Sequence, residues 1–166
     1  VRMTDTALLS VAKTGTGDGV IISDSGLDCG ISCTQILDLG TVVTLTAVSP
    51  ISSTFTGWSG IIVTTTNPIT LTMDTAKAVT ATFALDPQTL SLTFAGNGAG
   101  TVNFNPPNSN CTADCVKVFE YGEMVVLTAV SPISSTFTGW SGAIVTTTNP
   151  ITLTMDAAKA VTATFA

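Results

Sequence analysis

The chain has 166 residues, enough for one or two small domains, with charged residues at only 10% and a formal net charge of −6. It has no histidine and two glutamates, Glu120 and Glu123, which excludes His-dependent triads, histidine metal sites and imidazole acid–base catalysis. Its five cations, Arg2, Lys13, Lys77, Lys117 and Lys159, are too scattered to form a basic patch, so neither nucleic acid nor an anionic membrane is an expected partner.

Threonine takes 32 positions and apolar residues make up 45%. There is enough Val, Ile, Leu and Phe to form a core, which argues against disorder. No apolar run approaches the ~18 residues of a membrane helix, so membrane insertion is not expected. The chain opens at Val1 with no basic leader, apolar segment or A-x-A site, which reads as a processed or trimmed chain.

From the N-terminus, breakers divide a series of short strands. Gly15, Gly17 and Gly19 alternate in a first turn, and Cys29 and Cys33 follow at C-x-x-x-C spacing. Val43, Leu45 and Ala47 alternate with threonines at period two, the signature of a half-buried strand. Ser49-Pro50 ends that run, and F-T-G-W-S-G follows from Phe55 to Gly60. After Asn67-Pro68, Ile69, Leu71 and Met73 share one face with Thr70 and Thr72 on the other. Asp74 to Lys77 reads as a turn, and Val79, Ala81 and Phe83 alternate with Thr80 and Thr82. Threonine on the wet face keeps strand propensity and is hydrated without charge. The expectation is six or seven short strands per unit, with the cysteine segment and Asp74–Lys77 as the only candidate helical turns.

The second half repeats the first. Residues 47–84 and 129–166 differ at two positions, Ile61/Ala143 and Thr75/Ala157, at an offset of 82. Upstream, Cys29 and Cys33 match Cys111 and Cys115, and the glycine triplet returns as Gly96, Gly98 and Gly100. Two tandem units are therefore expected, residues 1–86 and 87–166, joined through Leu85-Asp86-Pro87-Gln88, where proline stiffens the link. The expected core is Val43, Leu45, Phe55, Trp58, Leu71, Val79 and Phe83, repeated as Val125, Leu127, Phe137, Trp140, Leu153, Val161 and Phe165.

C-x-x-x-C is neither the C-x-x-C redox spacing nor half of a zinc site within one unit. Because each copy keeps its own pair, local disulfides Cys29–Cys33 and Cys111–Cys115 are favoured over free thiols or a shared Cys₄ metal site. A disulfide implies an oxidising compartment, hence export to the cell surface or beyond. Trp58 and Trp140 read either as core anchors, the favoured alternative, or as aromatic platforms for a sugar. The Asp-x-x-Lys pairs, Asp74/Lys77 and Asp156/Lys159, read as surface ion pairs rather than halves of an isopeptide crosslink. Asp18, Asp24 and Asp28 cluster loosely in the first unit only, a weak case for calcium. Asn110-Cys111-Thr112 matches the N-glycosylation pattern, read as chance because of the bonded cysteine. Many Ser and Thr lack a base to activate them, so no enzyme, catalytic residue, cofactor or resident metal is expected.

The ordered set G-x-G-x-G, C-x-x-x-C, G-x-x-V-x-L-T-A, F-x-G-W-S-G and T-M-D-x-A-K-x-V-T-A-T-F resembles the divergent internalin-B repeat family, over nearly the whole chain and twice. The resemblance implies a mainly β fold of two small β-grasp-like domains, secreted or on the bacterial surface. It implies a stalk, spacer or adhesin segment whose partners are neighbouring repeats, surface glycans or other surface proteins. Family members often carry a second cysteine pair after G-W-S-G; the stretch from Ile61 to Thr70 has none. Both ends of the chain fall in phase with the repeat, which fits a piece of a longer array. It also fits a subunit that polymerises head to tail, with Val1, Arg2, Met3, Thr4, Asp5 and Thr6 pairing to a neighbour's strand edge.

Overall fold

The computed structural model describes residues 5–166. The chain divides into two compact units, Val1–Asp86 and Pro87–Ala166. The first contains β1 (Thr6–Thr14), β2 (Val20–Ser23), β3 (Asp28–Cys29), β4 (Ser32–Asp38), β5 (Val42–Val48), β6 (Ser53–Gly60), β7 (Ile69–Thr72) and β8 (Lys77–Leu85). The second contains β9 (Pro87–Ala95), β10 (Thr101–Asn105), β11 (Ser109–Cys111), β12 (Cys115–Glu120), β13 (Met124–Val130), β14 (Phe137–Gly142), β15 (Ile151–Thr154) and β16 (Lys159–Phe165). Each unit thus has eight strands, more than the six or seven expected, and no helix forms among the described residues. The cysteine segment is not a helical turn: it divides between two strands, because its alternation of outward and inward side chains continues the strand pattern.

Each unit holds two four-stranded sheets, ordered β4-β1-β8-β6 and β3-β2-β5-β7 in the first and β12-β9-β16-β14 and β11-β10-β13-β15 in the second. Neighbours are antiparallel except for one pair per unit: β1 runs parallel to β8, and β9 to β16. The first and last strands of a unit therefore lie side by side in the middle of one sheet.

Inward residues of the two sheets merge into one core per unit. In the first unit, Leu9, Val11, Val79 and Phe83 from one sheet meet Ile21, Val43, Leu45 and Leu71 from the other. The second repeats this with Leu90, Leu92, Val161 and Phe165 against Val102, Val125, Leu127 and Leu153. Full burial of each such side chain stabilises by roughly 1.5–3 kcal/mol, offsetting the backbone entropy lost on ordering. Thr70 and Thr72 sit on the wet face, where the alternation places them. Phe55 and Phe137 depart from expectation and are only partly buried. Each lies on an outer strand of its sheet, where a bulge between Phe55 and Gly57, or Phe137 and Gly139, shifts the register. Their rings still pack against Trp58 and Phe83 at centroid distances of 5.3 and 5.8 Å, and against Trp140 and Phe165 at 5.0 and 5.6 Å.

The glycine triplet wraps the end of the unit's last strand. Gly15 turns with φ +99°, which a Cβ disfavours. Gly17 donates its N–H to the Phe83 carbonyl at 3.0 Å, and Gly98 does the same to Phe165 at 3.0 Å. A Cβ on Gly17 would stand 2.5 Å from the Ala84 backbone, so only glycine permits this approach. A second local device is Asn67. Its side chain accepts the Ala47 N–H at 2.9 Å and donates to the Ala47 carbonyl at 2.7 Å, bonding β5 just before β7 begins. Asn149 repeats it on Ala129 at 2.9 and 2.6 Å.

Candidate functional site

Cys29 ends β3, at the edge of one sheet, and Cys33 lies in β4, at the edge of the other. They are bonded, with Cα atoms 5.9 Å apart; Cys111 in β11 and Cys115 in β12 are bonded likewise at 6.4 Å. Both separations lie within the ordinary range for a disulfide. Each bond thus staples one sheet of its unit to the other along one side of the core. No free cysteine remains. So short a loop yields only about 2 kcal/mol in the chain-entropy account. For a unit this small that is a sizeable share of net stability.

Trp58 and Trp140 are each 2% exposed. This corrects the reading of these residues as possible ligand contacts: with both ring faces in the core, neither indole offers a sugar a platform. The bulge beside each is capped by a threonine, with the Thr56 hydroxyl donating to the Thr82 carbonyl at 3.1 Å and Thr138 to Thr164 at 3.0 Å. The loop that follows folds back: the Trp58 N–H donates to the Thr64 carbonyl at 2.7 Å, and the Thr64 N–H returns at 3.3 Å. F-T-G-W-S-G is therefore a bulged strand that anchors the core and covers part of its own edge.

Three ion pairs form among the described residues. Lys77 and Lys159 hold Asp74 and Asp156 at 2.6 and 2.7 Å across the turn before the last strand. The hydrogen bond from each lysine, then its charge, draws the aspartate below its usual range. Lys13 pairs with Asp18 at 2.6 Å; that hydrogen bond, followed by one from the Gly19 N–H, lowers Asp18 likewise. Asp24 accepts the Thr44 N–H at 3.0 Å. Asp18, Asp24 and Asp28 do not converge, and no cluster of three His, Cys, Asp or Glu residues forms among the described residues.

Of the segment expected to reach a neighbour, Val1, Arg2, Met3 and Thr4 lie outside the described residues. Thr6 does not fit that role. It belongs to β1 and pairs in register with Asp38 of its own β4, while the Asp5 carbonyl accepts the Leu39 N–H at 2.8 Å. Among the described residues β4 is an outer strand of its sheet, with Ile36 69% exposed. Asn67, Asn149 and the packing role of the glycines were read from sequence only as turn punctuation. Their recurrence at matched positions in both copies was the available signal.

A family model described as the divergent InlB B-repeat domain matches residues 9–87 and 90–166. The chain belongs to the divergent InlB B-repeat family. Each match covers one eight-stranded unit, so a two-sheet sandwich with one parallel strand pair is the form this repeat takes here. No curated protein matches the sequence. Among solved structures, the repeat pair is similar to the Bacillus anthracis TIE protein, at 8% identity and a TM-score of 0.52 over 96% of this chain; it spans about a third (33%) of that protein's length. That likeness is one of fold. The chain also aligns with the major pilin protein (T-13) from Streptococcus pyogenes, at 9% identity and a TM-score of 0.38, over 96% of each chain. With a mutant of the shaft pilin SpaA from Lactobacillus rhamnosus GG the identity is 10% and the TM-score 0.32, over 95% of this chain and 97% of that one.

Proposed function

We propose that the chain is an exported, non-catalytic structural module of the bacterial surface, a stalk, spacer or adhesin segment that holds or presents something at a distance. The observation that carries this is the duplicated inter-sheet disulfide. Two tandem units, near-identical over residues 47–84 and 129–166, each spend both of their cysteines on a staple that an oxidising compartment favours. The segment shared by the two copies consists of core, turns and threonine-covered faces, and no side chains in it converge on a reacting centre. The test is localisation with redox state. Cells producing the protein are labelled with a membrane-impermeant reagent, fractionated, and alkylated without reductant. The chain is expected at the surface or in the medium with all four cysteines unmodified. Recovery in the cytoplasm with alkylated thiols would overturn the reading.

A second reading, a subunit that polymerises by strand addition, draws on the outer strands β4 and β12. The donor there is Val1 to Thr4, since Asp5 and Thr6 already bond to Leu39 and pair with Asp38 at home. Filaments seen by electron microscopy for the intact chain, and lost on deleting those four residues, would support it. A stable monomer at high concentration would remove it.

A further inference from the structure

The parallel strand pair has a mechanical consequence. A tethered chain under tension loads each unit at the start of its first strand and the end of its last. In the first unit those points are the start of β1 and the end of β8. Because the two strands are parallel neighbours, the loaded points lie at opposite ends of one ladder. Tension then slides the strands past each other and loads every rung from Leu9↔Lys77 to Thr14↔Thr82 together. Were the strands antiparallel, both points would lie at one end and the rungs would open one after another.

We infer that each unit is a shear clamp, built to resist end-to-end pulling. The inference rests on the stalk reading, because only a tethered chain carries such tension. Three features support it. The ladder is internal, flanked by β4 on one side and β6 on the other. Its inner face is dry, with Leu9, Val11, Val79 and Ala81 each at most 2% exposed, so water cannot readily replace a strained rung. The loaded end of β8 is held further by the glycine loop, through Gly17 N–H to Phe83 O. The second unit repeats all of this, with six rungs from Leu90↔Lys159 to Ala95↔Thr164 and Gly98 on Phe165. The disulfide lies outside the load path. It joins β3 to β4, both after β1 in the chain, and meets tension only once β1 and β8 have parted. The clamp is therefore non-covalent, and the disulfide only limits extension afterwards.

The test is single-molecule force spectroscopy on the full chain, with bio-orthogonal attachment points in two arrangements. Handles at positions 5 and 86 shear the ladder. Handles at 5 and 75 pull the two strand starts apart and peel it. Position 75 is exposed and already varies between the copies, as Thr75 and Ala157. Both arrangements use the same fold and the same rungs, so only direction differs, and forced unfolding reports the unfolding barrier directly. At equal loading rate the shear arrangement is expected to need several-fold more force and to release roughly 25 nm in one step. Reductant should leave that force unchanged and lengthen the step by about 8 Å. Equal forces in the two arrangements would overturn the clamp, as would a shear force that drops with reductant. Either result leaves the surface-localisation reading to its own fractionation test.

Discussion

Replacing Asn67 with alanine tests whether one side chain completes the second sheet of the first unit. The amide makes two hydrogen bonds to Ala47, whose residue is 5% exposed, and alanine leaves that N–H and carbonyl without partners. A hydrogen bond contributes about 1 kcal/mol net, and an unpaired group near the core costs more, so the pair should cost about 2–3 kcal/mol. For a domain this size that lowers the midpoint of thermal unfolding by roughly 10–20 °C. Calorimetry of the full chain carries its own control, because the second unit keeps Asn149 on Ala129. One transition should fall and the other stay. In Asn149→Ala the roles should exchange, and Asn67→Asp, which keeps the acceptor but loses the donor, should not restore the wild-type midpoint. A loss below about 0.5 kcal/mol would refute the reasoning, because it would mean water replaces the amide at no cost.

Reducing the disulfides, or replacing Cys33 with serine, should cost the affected unit about 2 kcal/mol in urea unfolding; an unchanged midpoint would show that the staple adds nothing to folding. Tryptophan emission should be blue-shifted and indifferent to a panel of glycans, since both indoles are buried; a red-shifted band that a sugar perturbs would revive the platform reading. Asp18, Asp74 and Asp156 have folded pKa values drawn below their ordinary ones, so the stability they contribute is present above about pH 4 and is lost as pH falls through their folded values. Carboxyl NMR titration should find Asp74 back in the ordinary range in Lys77→Met, and an unmoved Asp74 would exclude the pair as the cause.

Much of this protein was legible in one dimension. The 82-residue offset marked a repeat, and period-two alternation placed Val43, Leu45, Leu71, Val79 and Phe83 in the core before any coordinates. Both are local properties: a strand's inward face is set by which neighbours alternate, and a copy is recognised residue by residue. The position of the family motifs was legible for the same reason. What the tertiary structure alone decided are relations between segments far apart in the chain. Period two says which face of β1 is buried but not that β1 lies parallel to β8, some seventy residues later. C-x-x-x-C spacing favoured a local bond, yet only the sheet assignment shows that this bond joins two sheets. Asn67-Pro68 read as a turn, because nothing in the dipeptide records that its amide reaches Ala47. Phe55 read as core by hydrophobicity alone, and on a bulged outer strand it is only partly buried. Alternation fixes a side chain's direction, whereas pairing, register and sheet membership depend on long-range packing that no local pattern encodes.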